Sequence, residues 1–471
     1  MASWDGSMLP AKPLLVLALV SLAGAGALAA LDAPALLPGA PGPGPGHANP
    51  AARAPGWPLA AGAGLGLAGD GAAAAGQPLV ESATFSLIRT AATATEINLG
   101  VAPNGHVFVG GWNAVYRSSD DGATWQRLNA EPWQVATIAA DRVLIVDHDT
   151  GRVIKDDTSL ACTTISWSDD DGATWLHTPL ACGGGVTDHQ KIAVGKRVGA
   201  FADPTGLLYP NLMYACANGL AAANCGVSPD GGLAWLTTTP HGIGCAFQGA
   251  PVSDANGALY EPTTQCGAQI RKTANAGLTW TNIEVAGATP SADTPDMAVT
   301  PDGSLYFFYT DSDWHPALAR SLDGGETWDV FAVNVPGLVS SVFPSIVAGQ
   351  DGRIALSFYA TPDDDEGWNH NPGDAPDAVR WFGYVAVVAD AASAAPTIQP
   401  LEVTGGDPLQ LGCLSKLGGC LGNIADYMDI DVGPDGRAWA VFVDGCEGCT
   451  DHASSDKQVV LVAKQTGGTT L

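Results

Sequence analysis

The stretch Ser118-Ser-Asp120-Asp-Gly122-Ala-Thr124-Trp125 decides the fold, because four variants of it follow along the chain. All five copies share a carboxylate or amide position and a closing tryptophan: Asp120 and Trp125, Asp170 and Trp175, Asp230 and Trp235, Asn275 and Trp280, and Asp323 and Trp328. Successive tryptophans lie about 45 to 60 residues apart, which is the length of a four-stranded antiparallel unit with its loops. This spacing is typical of the blades of a β-propeller.

Each copy of the phrase carries the residues of a tight hairpin turn. Ser118 and Asp120 can bond nearby backbone groups, and Gly122 can take a positive φ. Trp125 then starts the next strand and faces the core. We therefore assign the phrase a role in folding rather than in catalysis.

A second phrase marks the turn between the two inner strands of each unit. Its copies are Pro103-Asn-Gly105, Pro204-Thr-Gly206, Asn256-Gly257, Pro301-Asp-Gly303, Asp351-Gly352 and Pro434-Asp-Gly436, with a degenerate one at Ala139-Ala-Asp141-Arg-Val-Leu144. Alternating apolar runs precede these turns, as expected of half-buried strands. We predict an all-β propeller of four-stranded antiparallel blades, with seven blades favoured and six as the alternative.

The two ends of the chain are predicted to close the ring together. The last unit offers three strands, near Met428–Val432, Ala438–Asp444 and Gln458–Lys464, and then stops. The segment Ser82–Arg89 precedes the first inner hairpin and can supply the missing strand. Pairing the two ends would remove an open sheet edge.

The first 79 residues are predicted to lie outside the propeller, which spans 80–471. Residues 1–29 resemble a secretory signal peptide, with Lys12 before the apolar run Leu14–Leu22 and small residues up to Ala29. An uncleaved membrane anchor is the alternative. Residues 30–79 are mostly Ala, Gly, Pro and Leu, the composition of a disordered linker or propeptide. We expect a secreted or cell-surface protein with no membrane span in its mature form.

The ten cysteines fall into pairs that are local in sequence. An even number after an export signal favours disulfides. The predicted pairs are Cys162 with Cys182, Cys216 with Cys225, Cys245 with Cys266, Cys413 with Cys420, and Cys446 with Cys449. A zinc site at Cys446 and Cys449 would need further ligands, of which His452 is the nearby one, so we predict no metal there.

The charge excludes one large class of partners. The formal net charge is −28 and the sequence pI is about 4.3, so nucleic acid and anionic membrane surfaces would be repelled. The expected partners are therefore a glycan or an extracellular protein.

The phrase Ser-x-Asp-x-Gly-x-Thr-Trp is similar to the Asp-box, or bacterial neuraminidase repeat, and residues 80–470 resemble the sialidase-like propellers. The stretches Asp188–Val194, Phe343–Ala348 and Ala425–Asp429 are similar to secreted proteins labelled exo-α-sialidase by homology. The resemblance implies that the Asp-boxes lie on the outer rim, away from any ligand. It does not imply one function, because xyloglucan hydrolases, sorting receptors and assembly factors also carry the repeat.

Sialidase activity would require particular residues in addition to the fold. The resemblance implies three arginines on the substrate carboxylate, a Tyr nucleophile polarised by a Glu, and an Asp acid. The Phe-Arg-Ile-Pro phrase that normally carries the first arginine is replaced here by Phe85-Ser-Leu-Ile-Arg89. Other arginines are expected at repeat phrases or inner hairpins: Arg117, Arg142, Arg271, Arg320, Arg353 and Arg437. None of them is predicted to form a central clamp.

The candidate site is the mouth of the central channel, where the innermost strands begin. The catalytic candidates there are Asp188, His189, Asp426, Tyr427 and Asp429. The ligand-binding candidates are Gln190, His241, Asp293, Asp296 and His315. Carboxylates and a histidine facing one cavity can carry out acid–base chemistry, whereas the alternative is that the aspartates cap strand ends. Tyr427 would be the nucleophile of a sialidase.

The acidic loop Pro362–Asn371 has two interpretations. No cofactor is expected overall, but four carboxylates in this loop leave calcium binding open, with a solvated loop as the default. Trp368 and Trp381 leave carbohydrate stacking open.

We predict a secreted or surface propeller that binds glycan or protein at its channel mouth, with an extracellular sialidase-like glycoside hydrolase as the alternative.

Overall fold

The computed structural model describes residues 82–111, 114–128, 139–159, 162–182, 188–202, 209–218, 222–245, 248–414, 424, 428–446 and 458–471. The chain from Ala75 onward forms one compact unit. Within the described residues the structure is almost entirely β, with two short 3-10 turns at Gly199–Phe201 and Pro372–Asp374. No helix in this part of the chain is long and apolar enough to cross a membrane.

The strands form seven antiparallel sheets, which we number as blades along the chain. Blade 1 holds β2 (Leu99–Val101), β3 (Val107–Gly110), β4 (Val115–Ser118) and β5 (Gln126–Arg127). Blade 2 holds β6 (Ala139–Val146), β7 (Val153–Ser159), β8 (Cys162–Ser168) and β9 (Leu176–Cys182). Blade 3 holds β10 (Asp188–Gly195), β11 (Leu212–Asn218), β12 (Ala223–Ser228) and β13 (Leu236–Thr237).

The remaining blades follow the same plan. Blade 4 holds β14 (Val252–Ser253), β15 (Leu259–Thr263), β16 (Gln269–Thr273) and β17 (Thr281–Glu284). Blade 5 holds β18 (Asp296–Val299), β19 (Leu305–Thr310), β20 (Pro316–Ser321) and β21 (Asp329–Ala332). Blade 6 holds β22 (Ser340–Ala348), β23 (Ile354–Thr361), β24 (Arg380–Val388) and β25 (Leu401–Glu402), with β26 (Gln410–Leu411) also on β24. Blade 7 holds β27 (Asp429–Val432), β28 (Ala438–Asp444), β29 (Val459–Gly467) and β1 (Thr84–Thr93).

The first strand of each blade lies innermost, and these strands form a closed circle. Each inner strand contacts the inner strands of the blades before and after it, in the order β2, β6, β10, β14, β18, β22, β27 and back to β2. The N-terminal strand β1 pairs antiparallel with β29, for example Leu87 opposite Ala463. The predictions of seven blades and of closure by the N-terminal segment are therefore confirmed.

Hydrophobic cores lie between neighbouring blades. Between blades 2 and 3, for example, Val143, Ile154 and Ile165 pack against Ile192 and Met213. Comparable clusters follow around the ring, and the largest joins blades 6, 7 and 1. Each blade buries both of its faces, which is why the inner and middle strands are nearly continuous in apolar residues.

The repeat phrase forms the turn between the third and fourth strands, with the hydrogen bonds expected from its residues. In blade 1, Ser118 Oγ donates to Asp120 Oδ1 and accepts from the Gly122 N–H, both at 2.8 Å. Asp120 accepts from the Thr124 N–H, and Trp125 Nε1 donates to the Gly122 carbonyl. Gly122 has a φ of 90°, and a Cβ on it would lie 2.7 Å from a methyl of Ile88. We call these five segments the repeat turns.

The repeat turns lie at one end of the ring. Successive strands of a blade are antiparallel, so the turn between strands three and four lies at the end where the inner strand finishes. The opposite end, where the seven inner strands begin, is called the entry end below. The repeat turns are therefore at the end of the ring opposite to the predicted channel mouth.

One predicted inner turn was misplaced. The segment Ala139–Leu144 lies within strand β6, and the hairpin of blade 2 is formed by the next residues, from Asp147 to Arg152. There Asp147 bonds the Asp149 N–H and the Thr150 hydroxyl, so an Asp-Thr-Gly turn replaces the Pro-x-Gly pattern. Each of the seven inner strands pairs with the next strand of its blade as predicted, but this turn lies several residues later, and the predicted turn at 204–206 lies outside the described residues.

The disulfides Cys216–Cys225 and Cys245–Cys266 are present as predicted. Cys413 and Cys446 are also disulfide-bonded, and their predicted partners Cys420 and Cys449 lie outside the described residues. Cys162 and Cys182 stand directly opposite each other in β8 and β9, but their side chains are outside the described part of the structure.

Replacing Ser118 by alanine is expected to lower the free energy of unfolding by about 1–3 kcal/mol, because the buried Gly122 N–H loses its acceptor. Urea denaturation of the wild type and the Ser118→Ala variant measures this. The exposed Ser312 provides the control, since Ser312→Ala should change stability by less than about 0.5 kcal/mol. Equal effects of the two substitutions would contradict the role of the repeat turn.

Candidate functional site

The entry end collects several of the predicted site residues at the starts of inner strands. Asp188, His189 and Gln190 begin β10, and Asp296 and Asp429 are the first residues of β18 and β27. Asp426 and Tyr427 lie outside the described residues. The structure describes the backbone of Asp188 at the start of β10 but not its side chain.

Two inner strands begin with a bulge that turns the chain. The pairing register shifts between Asp188 and Lys191 in blade 3 and between Val342 and Ser345 in blade 6. Within these bulges His189 has a φ of 50° and Phe343 a φ of 58°, a region that non-glycine residues seldom occupy. Bulges of this kind re-aim side chains and are frequent beside functional sites.

Blade 3 also holds two buried amides without hydrogen-bond partners. Gln190 is 1% exposed and Asn218 is 6% exposed, and neither the oxygen nor the nitrogen of either side chain has a partner. Asn218 stands opposite Asp188 at the end of β11, so both amides lie at the entry end. Burying such a group unpaired is unfavourable, which marks this position as one where a ligand or water would supply the missing bonds.

The aspartates of blade 5 bridge to blade 6. Asp293 Oδ2 accepts from the Thr310 hydroxyl at 2.9 Å and from the Phe343 N–H at 2.8 Å. Asp296 Oδ2 accepts from the Ile346 N–H at 2.9 Å. Burial raises the pKa of Asp296 to about 6, against the lowering effect of these hydrogen bonds.

The aspartates of blade 7 bridge to blade 1 in the same manner. Asp429 Oδ2 accepts from the Leu99 N–H at 3.2 Å and from Asn98 Nδ2 at 3.3 Å, and Asp431 Oδ2 accepts from the Val101 N–H at 2.7 Å. Burial and the neighbouring charge of Asp431 raise the pKa of Asp429 to about 8. An inner strand is a sheet edge with unpaired N–H groups, and these carboxylates satisfy them.

Two cations beside these inner-strand carboxylates were not predicted. His148 Nε2 lies 3.1 Å from Asp431 Oδ2, and the negative charge of Asp431 raises the pKa of His148 to about 9. Lys191 of β10 is close enough to Asp296 to lower its pKa. Lys191 belongs to the stretch Asp188–Val194 that was singled out in the sequence. Its position three residues after Asp188 was the feature that could have identified it as a residue of the site. His148 lies in the hairpin that sequence reasoning misplaced.

His241 and His315 lie apart from the inner-strand carboxylates. His241 is buried against Glu261, with Nε2 2.9 Å from Oε2, and stacks on Trp280 at 3.7 Å between ring centroids. Glu261 also binds Arg271 Nη1 at 2.5 Å, and the side chains of His241, Glu261 and Arg271 are at most 3% exposed. His315 is exposed in the turn after β19, where its N–H donates to Asp311 Oδ1.

The arginines with identified partners are used in turns and local ion pairs. Arg320 binds the Ala391 carbonyl and Asp329, Arg353 binds the Thr470 carbonyl, and Arg437 pairs with Asp435. Arg117 binds the Asp171 carbonyl, and Arg271 binds Glu261. None of these five joins a three-arginine cluster through these contacts. Arg142 has its side chain outside the described part.

The acidic loop after β23 is held by local pairs. Asp363 forms a bidentate ion pair with Arg380, and Asp364 Oδ1 lies 3.2 Å from His370 Nε2. Trp381 is fully buried, and its Nε1 donates to the Gly412 carbonyl. Trp381 is therefore a core residue and cannot stack on a carbohydrate, which corrects that expectation. Trp368 packs edge-on against it.

Only one group of side chains in the described ranges has the compactness of a metal site. It consists of Cys216, Cys225 and Glu261, whose ligand atoms lie within 4.8 Å of one another. The two cysteines form a disulfide, so no thiolate is available in this state. The carboxylates of the acidic loop do not form such a group among the described residues.

No protein-family model matches the chain, and no curated protein matches it. The chain is similar in structure to a Hadza microbial sialidase, with 16% identity over 57% of this chain and 64% of that one and a TM-score of 0.39. It is also similar to YCF48 from Cyanidioschyzon merolae, with 10% identity over 81% and 98% and a TM-score of 0.44. The GH74 xyloglucanase from Xanthomonas campestris gives 14% identity over 80% and 55% and a TM-score of 0.47. The chain thus spans less than two thirds of the length of the sialidase and of the xyloglucanase, and at these identities the likeness concerns the β-propeller fold alone.

Proposed function

We propose that this protein is a secreted or cell-surface propeller that binds a glycan, or else an extracellular protein, at the entry end of its channel. The observation that carries the proposal is the pair of buried, unpartnered amides of Gln190 and Asn218. Each amide offers both a donor and an acceptor, which suits the hydroxyl groups of a sugar. The bulge at His189 is next to Gln190 and supports a binding role for the start of β10 at the entry end.

Replacing both amides, in the double variant Gln190→Ala/Asn218→Ala, is expected to weaken glycan binding about tenfold or more, because several ligand hydrogen bonds are lost. A glycan array with the full chain selects the ligand, and calorimetric titration compares the variants. Asn104→Ala, an exposed substitution at the opposite end of the ring, is the control and should bind like the wild type. Unchanged affinity of the double variant would place the ligand elsewhere, and an array without any hit would leave the protein ligand as the hypothesis to test.

A second function, a sialidase-like hydrolase, is favoured by one observation. Asp429 has a pKa raised to about 8, so it is protonated at neutral pH, as a general acid must be. A fluorogenic sialoside assay of the wild type, Tyr427→Phe and Asp429→Asn tests this. Turnover that both substitutions abolish would establish the hydrolase, whereas absence of turnover in the wild type would reject it for that substrate.

A further inference from the structure

A buried cluster between blades 3 and 4 combines a disulfide, a carboxylate and an imidazole. We propose that reduction of the Cys216–Cys225 disulfide converts this cluster into a binding site for Zn²⁺, with Cys216, Cys225, Glu261 and His241 as the four ligands. The cluster uses neither of the two amides to which ligand binding was assigned above, and it does not depend on the function proposed there.

Three of the four ligand groups are already close together, and the fourth, His241, contacts one of them. Cys216 Sγ, Cys225 Sγ and a carboxylate oxygen of Glu261 lie within 4.8 Å of one another, and Cys225 Sγ is 3.8 Å from Glu261 Oε2. His241 Nε2 is 2.9 Å from the same oxygen. Zinc bonds of about 2.0–2.3 Å in a tetrahedron bring ligand atoms to comparable separations. The two sulfurs have to move apart, which opening the disulfide allows, and His241, which lies outside the group of three, has to approach them.

The groups around these ligands are placed to orient them. In the metal-free state His241 Nε2 faces the Glu261 carboxylate and carries the proton of that hydrogen bond. Metal binding at Nε2 moves the proton to Nδ1, which lies 3.4 Å from the Thr239 carbonyl. Arg271 binds Glu261 Oε1, which leaves Oε2 for the metal. Gln248, with its amide turned to donate, lies 2.7 Å from Oε1 and 3.2 Å from Oε2, so its stronger bond also goes to Oε1. The ring of Trp280 holds the imidazole plane by stacking.

The charges balance in both redox states. In the oxidised protein the buried Glu261 carboxylate is neutralised by Arg271. In the reduced, metal-bound form, two thiolates and one carboxylate oppose one Zn²⁺ and one guanidinium, so the sum is again zero. A buried site with an uncompensated charge would be strongly disfavoured, and this one has none in either state.

The conversion needs a dithiol reductant. The dithiol gives two hydrogen atoms to the Cys216 and Cys225 sulfurs and becomes a disulfide itself, while the bond between the two cysteine sulfurs breaks. Zn²⁺ then replaces the two thiol protons, which are released to solvent. A nascent chain that has not yet been oxidised would present the same thiols.

The test uses the full chain, reduced with dithiothreitol, freed of reductant under nitrogen and titrated with Zn²⁺ alone. Alkylation by iodoacetamide is then followed at each cysteine by mass spectrometry. We expect zinc to slow alkylation of Cys216 and Cys225 about tenfold or more, because a metal-bound thiolate is a poor nucleophile, and EDTA to restore it. Cys245 and Cys266 are the internal controls and should react at the same rate with and without zinc.

A ligand variant provides a second measurement. His241→Ala should weaken the zinc protection of both thiols about tenfold or more, whereas His315→Ala, in an exposed turn, should leave it unchanged. Circular dichroism with and without zinc reports whether the reduced chain is folded. Protection confined to Cys446 and Cys449, equal rates with and without zinc, or a reduced chain that stays unfolded in the presence of zinc would each overturn the proposal.

Discussion

Replacing Glu261 by alanine is expected to lower the free energy of unfolding by about 3–5 kcal/mol, which is the effect of leaving a buried charge without its partner. Glu261 is completely buried and accepts bonds from Arg271 Nη1 and His241 Nε2. Without the carboxylate, the Arg271 guanidinium, 1% exposed, would stay in the core unpaired. Chemical denaturation of both proteins measures the loss.

Removing both charges should recover much of this stability. In the double variant Glu261→Leu/Arg271→Met the buried pair becomes apolar, and such replacements are often neutral or stabilising. Arg437→Ala is the matched control, because the Arg437–Asp435 pair is at the surface and should contribute at most about 1 kcal/mol. A single Glu261→Ala variant as stable as the wild type would show that the buried network contributes little.

The protein is expected to become less stable as the pH rises from about 4 to about 9. Asp429 and Asp296 have pKa values raised to about 8 and about 6, so between pH 4 and these values the folded state holds protons that the unfolded state has released. Their stabilising effect is complete below about pH 4 and is lost as the pH passes through the folded pKa. His148, raised to about 9, acts in the same direction, since its contribution is present below its ordinary pKa and is lost through pH 9.

The variant Asp429→Asn isolates the largest of these effects. Asparagine resembles the protonated carboxyl and cannot ionise, so the variant should match the wild type below about pH 4 and exceed it increasingly up to pH 8, there by on the order of a few kcal/mol. Urea denaturation at several pH values measures this difference. Asp323→Asn is a control of opposite sign, because the hydrogen bonds of Thr327 lower the pKa of Asp323 and its contribution is lost only as the pH falls below about 4. An unchanged slope between pH 5 and 8 in Asp429→Asn would contradict the raised pKa.

The same carboxylates show why a channel site is hard to interpret from sequence. Asp293, Asp296 and Asp429 were candidates for ligand binding or catalysis, and each also accepts an N–H from the inner strand of the next blade. Sequence reasoning had kept strand capping as the alternative for such residues. Both roles are compatible, since a carboxylate that bridges two blades can still present a lone pair to the channel.

Sequence alone determined the repeat, the blade count and the closure, because these depend on local signals. A turn such as Ser118 to Trp125 makes its hydrogen bonds within eight residues, and the missing strand of the last unit was visible as Ser82–Arg89, which overlaps the observed strand β1. The inner turn of blade 2 was misplaced because Asp147 and Thr150 make it with side-chain bonds in place of the usual proline. Local chemistry is readable wherever the residues that form a feature are neighbours in the chain.

The tertiary structure decided which distant residues meet. Nothing in the spacing of Cys225, His241, Glu261 and Arg271 indicates that they share one buried cluster, since they come from two blades. The pairing of Asp429 with Asn98 likewise joins the two ends of the chain. Such contacts depend on how the blades pack around the ring. Many different apolar sequences provide that packing equally well, so the sequence does not reveal which polar residues it brings together.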